Sequence, residues 1–394
     1  MCGFAGVINL NGIKNEKLRG PLTRAGERLK PRGPDACNIW MDNKCAIVNT
    51  RLAIQDLTSE ANLPMIRGDL VIAYNGEIYN FKLLKNELLR LGHKFHTNSD
   101  TEVILEGWRA WGIDVLDKLS GMFAFVIWNT STKQAFFARD RFGKKPLLLI
   151  EHDGKVTFGS DLAALECLLD YTPEINPVAL DLYFSLRWIP EPLSIAEGIK
   201  KLPAGSVGVL NQNGLHLKPW YNLSEKNSPQ KQNLASVTNS LVKTFDNAVG
   251  IRMNADVPIG VFLSGGIDSA LVAASMRRAS DKVESFTVGF EGVSSYYEER
   301  PEAKNVARIL GTKHNELVIS SKDVSASLIN VFNSLDEPFA DSSAIPTFLL
   351  SQAVKNNVSV VLTGDGADEI FGGYRKYQGE LLSTYYRQIP SILR

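Results

Sequence analysis

The chain has almost no histidine. Five residues of that type in 394, none at HxxxH spacing, leave little from which to build a zinc site. Cysteine is equally sparse: Cys2, Cys37, Cys45 and Cys167 form no CxxC pair and no dense framework. Neither a redox motif nor a disulfide scaffold is expected, and the reading is reduced thiols in a cytoplasmic protein. No apolar run approaches the roughly 20 residues of a membrane span, and no charged segment followed by an apolar stretch marks the N-terminus as a signal peptide. Net charge is absent too, with 43 basic residues against 43 acidic. Nucleic-acid and anionic-membrane binders rely on a positive field, so neither partner is expected.

What is present is an ordinary globular composition, 44% hydrophobic and 22% charged, in a chain too long for one core. Two domains follow. Residues 1–222 read as short apolar strands between turn signals, among them KCAIVNTRLAIQDL (44–57), DLVIAYNGEIYN (69–80), GMFAFVIWN (121–129) and QAFFARD (134–140). SVGVLNQNGLHL (206–217) carries an Asn-Gly hairpin turn. Helical periodicity appears in NFKLLKNELLRLG and DTEVILEGWRAWG, each closed by glycine. This pattern predicts an α+β domain of layered, mostly antiparallel sheets. Residues 223–234 are polar and contain proline, as a linker would. From 235 to 394 helices alternate with near-continuous apolar strands, which predicts an α/β domain with a mainly parallel, doubly wound sheet.

Three stretches carry chemistry. In VFLSGGIDSALVAA (261–274) a strand meets a helix through Ser264, Gly265 and Gly266. That turn can converge backbone N–H groups on an anion at a helix N-terminus. Asp268 suits a divalent cation, and Ser269 adds a hydroxyl. A tight packing corner explains the glycines alone equally well. VVLTGDGADEIFGGY (360–374) follows another strand. Ligands bind outside the carboxyl ends of strands in open α/β sheets, so both loops are expected to face one cleft. Asp365, Asp368 and Glu369 would repel one another unless solvated or neutralised, which favours magnesium and a nucleotide beside them. The third stretch is the start, MCGFAGVINL. With Met1 removed, Cys2 carries a thiol and an amine with pKa values of about 8.5 and about 7.7–8.0, nucleophile and base in one residue.

SGGIDS resembles the pyrophosphate (PP) loop of ATP pyrophosphatases. RGPD (32–35), TRLAIQDL (50–57), YNGEIYN (74–80) and SDTEVIL (99–105) recur in the order found in class II glutamine amidotransferases, which are N-terminal-nucleophile (Ntn) hydrolases. With ARDRFGKKPLLL (138–149), SFTVGF (285–290) and DEPFADSSAIPTFLLS (336–351), the chain resembles the glutamine-hydrolysing asparagine synthetase family over nearly its whole length. The resemblance implies that Cys2 attacks glutamine and that Asn75 and Gly76 form the oxyanion hole. It implies further that Arg51 binds the glutamine carboxylate while Glu77 and Asp100 take its ammonium. For the synthetase half it implies ATP as substrate, magnesium on Asp268 and Asp368, and nucleotide contacts from Leu263, Ser264, Gly265, Gly266, Asp268, Ser269, Val288, Thr363 and Gly364. Asp365 would act in adenylation, at a position where family members have glutamate. Ammonia would pass through an internal tunnel to an acyl-AMP. The back domain is expected to be short at its C-terminus, without the family's adenylation lysine. The acceptor stays open between aspartate and another carboxylate such as a uronic acid of a surface polysaccharide, as does a glutaminase or ATP-binding protein lacking full synthetase activity. The resemblance also allows a homodimer.

Overall fold

The computed structural model describes residues 2–223, 233–292 and 298–390. Two compact units emerge: Met1–Lys231 with Ile329–Ser342, and Gln232–Leu328 with Ser343–Arg394. Most of the segment expected to be a linker, 224–232, lies outside the described residues.

The first unit contains strands β1 (Gly3–Asn9), β2 (Ala36–Met41), β3 (Cys45–Arg51), β4 (Met65–Arg67), β5 (Leu70–Ile78), β6 (Gly121–Asn129), β7 (Gln134–Arg139), β8 (Leu148–His152), β9 (Lys155–Gly159), β10 (Lys200–Lys201), β11 (Ser206–Asn211) and β12 (Gly214–Pro219). Its helices are α1 (Asn15–Leu29), α2 (Phe81–Arg90), α3 (Asp100–Trp111), α4 (Val115–Lys118), α5 (Leu162–Glu166) and α6 (Pro177–Leu186). The strands form two six-stranded sheets in the orders β10-β8-β9-β1-β3-β2 and β12-β11-β7-β6-β5-β4. Each neighbouring pair is antiparallel.

Alternation along β1 sets the layering. Phe4 and Ile8 face the second sheet, in one core with Ile47, Phe158, Val126, Trp128 and Phe137. Ala5 and Val7 face the other way, onto Leu22, Ala25 and Leu29 of α1 and Ala164 of α5. The outer face of the second sheet, with Ile72, Tyr74, Phe123 and Phe125, packs on Leu84, Leu88, Val103 and Trp108 of α2 and α3. The result is a helix–sheet–sheet–helix sandwich. Burial of both sheet faces is why these strands read as apolar runs. Helix α1 is not signalled by the sequence pattern, for Pro21 and Gly26 stand inside it. Burial of its Leu22–Ala25–Leu29 stripe overrides their poor propensity.

One buried carboxylate braces α3. Glu102 Oε1 accepts from Arg67 Nε at 2.7 Å, and Oε2 accepts from Thr97 N at 2.7 Å and Thr97 Oγ1 at 2.6 Å. Burial opposes its ionisation, but these donors and His96 N–H outweigh burial and hold the carboxyl down at about 2. A depressed carboxyl stabilises the fold above its unfolded value of about 4.3 and loses that contribution as pH falls through its folded value. Glu102→Gln should cost about 2 kcal/mol at pH 7. Urea unfolding at pH 7 and pH 3 tests this. The gap to wild type should narrow at the lower pH, and an equal gap at both would show that ionisation plays no part.

The second unit is a four-stranded parallel sheet of β13 (Ile259–Phe262), β14 (Glu284–Phe290), β15 (Lys313–Ile319) and β16 (Val360–Leu362), in the order β15-β14-β13-β16. Around it are α7 (Leu234–Arg252), α8 (Ile267–Ala279), α9 (Arg300–Leu310), α10 (Ser321–Ser334), α11 (Ala344–Val354), α12 (Ala367–Phe371) and α13 (Arg375–Arg387). One apolar cluster joins Val261 and Leu263 to Val249, Val272, Met276 and Ala303. Another joins Phe286 to Leu350, Val354 and Val358. The sheet is thus covered on two faces. The chain runs outward from β13 to β15 and returns to β16 on the opposite side of β13, so a topological switch point lies between β13 and β16. Among the described residues, no helix is long and apolar enough to cross a membrane.

Candidate active sites

Cys2 sits just ahead of β1 and is 9% exposed. Its Sγ accepts from Leu52 N–H at 3.4 Å, and Arg32 Nε donates to its carbonyl at 3.3 Å. Burial pushes the thiol pKa up, Leu52 N–H pulls it down, and the Glu77 and Asp100 carboxylates add to the rise. The RGPD turn places Leu52. Asp35 N–H donates to Arg51 O at 3.0 Å, and Asp35 Oδ2 accepts from Ala53 N at 2.8 Å. A Cβ on Gly33 would come within 2.5 Å of Arg51 N, so only glycine lets this turn close on β3.

Asn49, which the motifs do not single out, links the two sheets. Its Nδ2 donates to Gly3 O at 2.8 Å and its Oδ1 accepts from Tyr74 N at 2.9 Å. One buried side chain therefore ties the residue after Cys2 to the residue before Asn75. As a polar residue inside an apolar strand, Asn49 gave no sequence signal beyond its polarity.

Asn75 and Gly76 could have been a hairpin turn. They lie instead inside β5, opposite Ala124 and Phe123 of β6. Asn75 is fully buried, and among the described residues neither its Nδ2 nor its Oδ1 has a hydrogen-bond partner. An amide left so costs stability unless a ligand satisfies it. Asp100 is not the cap of α3 either. Ser99 caps it, accepting from Thr101 N at 3.1 Å, while Asp100 Oδ2 accepts from Tyr74 OH at 2.7 Å and Ile78 N at 2.9 Å. Glu77 Oε2 accepts from Gln55 Nε2 at 2.9 Å. Burial raises both carboxyl pKa values, Glu77 strongly, with Asp100 raising Glu77 further. Lys145, another residue the motifs did not single out, is pulled down to about 8, first by burial and then by Arg32, against the pull of Glu77.

Arg51 is engaged by its own loop. It is 5% exposed, so it is no surface charge. Its Nη1 donates to Thr58 O at 2.8 Å and Asn62 Oδ1 at 3.0 Å, and its Nη2 donates to Gln55 O at 3.0 Å and to Asp56 O. The guanidinium holds the 55–62 loop, and a ligand carboxylate would share it with these acceptors.

In the second unit the two glycine loops meet at the switch point. A Cβ on Gly364 would lie 2.9 Å from Asp268 Cβ and 2.9 Å from Ser269 N. Gly266 is the N-cap of α8 and supplies no side-chain cap, and Gly265 and Gly266 are exposed. Ser264 and Ser269 hydroxyls bond at 2.8 Å, and Ser264 Oγ accepts from Gly266 N at 3.1 Å. This is an N–H-rich corner fit for phosphate. Leu263 stands in the core with its N–H given to Phe286 O at 2.8 Å. Val288 is half-buried against the Phe286 cluster. Asp365 is exposed and accepts from Thr363 OH at 2.8 Å, while Tyr374 OH donates to Glu369 at 2.6 Å. Asp268 and Asp368 are half-buried. Among the described residues, no group of three or more His, Cys, Asp or Glu gathers as a metal site. That donor set fits magnesium only with phosphate oxygens completing the shell, as is usual for this ion. Gly364→Val should force the loops apart and weaken ATP binding at least about tenfold. Calorimetric titration of ATP decides it; unchanged affinity would mean the contact between the loops does not shape a nucleotide site.

Comparison with known proteins matches residues 1–221 to a glutamine amidotransferase domain and residues 240–393 to asparagine synthase. Glutamine-hydrolysing asparagine synthetase 1 of Bacillus subtilis is 33% identical over all of this chain, which spans 62% of that relative's length. The protein assigned as glutamine-hydrolysing asparagine synthetase 2 in Methanocaldococcus jannaschii is 32% identical, again over the whole chain and 79% of its own length. Among solved structures, glutamine phosphoribosylpyrophosphate amidotransferase from B. subtilis superposes with a TM-score of 0.44 at 14% identity, over 87% of this chain and 95% of that one. A superposition that loose carries no argument. The two domain matches and the full-length identities do, and the chain belongs to the glutamine-hydrolysing asparagine synthetase family.

Proposed function

We propose that this chain hydrolyses glutamine at Cys2 and uses ATP to activate a carboxylate, aspartate first, for amidation. The observation that carries the reading is the unpartnered Asn75 amide on a strand that Asn49 clamps to Gly3. With Met1 removed, the Cys2 amine takes the thiol proton and the sulfur attacks the glutamine amide carbon. Asn75 Nδ2 and Gly76 N–H receive the developing oxyanion. Collapse expels ammonia, and water then releases glutamate from the thioester. Glu77 and Asp100, two buried carboxyls raised by burial, regain full charge against the substrate ammonium. Arg51 supplies positive charge to the substrate carboxylate.

Ammonia would leave through a cavity of about 320 Å³ in the first unit, lined among others by Arg32, Leu147, Trp188, Ile189 and Glu337. Arg32 touches both ends of that step, since it also donates to Cys2 O. Enclosure matters because ammonia freed into neutral water takes a proton and loses its lone pair. In the second unit the acceptor carboxylate attacks the α-phosphorus of ATP with loss of pyrophosphate, and ammonia then displaces AMP. Ser264 to Ser269 would hold the phosphates, with Thr363 and Gly364 continuing the pocket. Asp268 and Asp368 would hold magnesium, whose charge offsets that of the phosphates. Asp365, beside Gly364, would act at the adenylation step.

Two assays on the wild-type chain test this. Glutamate release from glutamine reads the first unit. Pyrophosphate release from Mg-ATP, with ammonia or glutamine and a panel of aspartate, glutamate and uronic acids, reads the second. Aspartate should give the largest pyrophosphate signal. Stimulation by a uronic acid alone would move the acceptor class, and silence with every acceptor would remove the synthetase step.

A further inference from the structure

The sequence DEPF (336–339) lies between α10 and α11, well inside the region matched to asparagine synthase, yet Ile329–Ser342 packs within the first unit. Two carboxylates anchor it there. Asp336 accepts from Leu162 N at 2.6 Å and from Ala163 N at 3.2 Å. These are the leading N–H groups of α5, while that helix's own cap, Asp161, serves Ala164 N at 3.1 Å. Glu337 Oε1 accepts from Ile195 N at 2.8 Å, and its Oε2 pairs with Lys201 Nζ. Both acids also line the cavity that Arg32 borders.

From Asp336 the path to the nucleophile is short. Two residues before Leu162, the buried Ser160 receives Phe4 N–H on its Oγ at 2.8 Å, donates its hydroxyl to Phe4 O at 3.1 Å, and donates its N–H to the same oxygen at 2.9 Å. Phe4 is two residues from Cys2. We propose that Asp336 is a positioning residue for the nucleophile: by completing the cap of α5 it fixes Ser160, and through Ser160 the start of β1, with Glu337 as the second anchor of the strap. Both flanks of the strap in sequence belong to the second unit, so glutamine hydrolysis depends on a segment outside the amidotransferase stretch. This rests on the glutaminase reading above. Asp336 lines the cavity and stands outside the apolar clusters of the first unit, so its removal takes nothing from the core and the variant should fold.

The test compares Asp336→Ala and Asp336→Asn in the full chain, with Cys2→Ala as reference. Asp336→Ala should lower kcat for glutamate release about tenfold or more with KM changed far less, since nothing in the glutamine pocket is altered. Amide hydrogen exchange should quicken in 160–166 and also in β1. Asp336→Asn keeps an acceptor oxygen and should restore most of both signals. A wild-type kcat in Asp336→Ala, or faster exchange confined to 160–166, would overturn the proposal. Glutamate release surviving Cys2→Ala would instead sink the glutaminase reading, and exchange in β1 would still judge the strap.

Discussion

Cys2→Ala should abolish glutamate release, lowering kcat/KM for glutamine by at least about 10⁴, while leaving ATP affinity unchanged. The size of the effect follows from what the residue would contribute. On the proposed reading the Cys2 thiol and its own amine would serve as nucleophile and base, and no histidine precedes position 93 to replace either. The fold should survive, because among the described residues Sγ has only Leu52 N and Leu52 O as hydrogen-bond partners. Urea unfolding should show a loss of no more than about 1 kcal/mol. ATP titration monitors the second unit, whose glycine loops include no residue near Cys2 in sequence. Glutamate release at the wild-type rate would show that the terminal residue is not the nucleophile.

Asn75→Ala should lower kcat about 10²–10³-fold with a small change in KM, the signature of a donor used in the transition state. Stability moves the other way from most core substitutions. Asn75 keeps two buried polar atoms without partners, each a cost to the folded chain. Deleting them removes that cost and leaves a small cavity, so the variant should unfold within about 1 kcal/mol of wild type, or later. Loss of activity joined to loss of several kcal/mol would instead make Asn75 a structural residue. A pH series adds a check. Glu77 and Asp100 have raised carboxyl pKa values, so glutamine binding should weaken as pH falls and they become neutral.

Much of the fold was legible because its signals are local. Short apolar runs between turn signals marked β5 and β6, and glycines at 92 and 112 ended α2 and α3, each at positive φ. Helix α1 was not legible, since its sequence argues against a helix and only burial on the sheet supports it. The strap at 336–342 stands in the back half by sequence order, and its hydrogen bonds lie with the front.

Sequence by itself determined which reactive groups exist and in what order: a cysteine at position 2, an Asn-Gly pair, two carboxylates, and two glycine loops that each follow a strand. Such motifs need only neighbours along the chain. Tertiary structure alone decided that Asn75 is a mid-strand residue with an unsatisfied amide. It alone decided that Arg51 is occupied by its own loop, and that Asp336 caps a helix 174 residues away. The physical reason is common to all three. Hydrogen-bond satisfaction depends on partners brought together by packing, and a linear pattern does not say which buried group will be left without one.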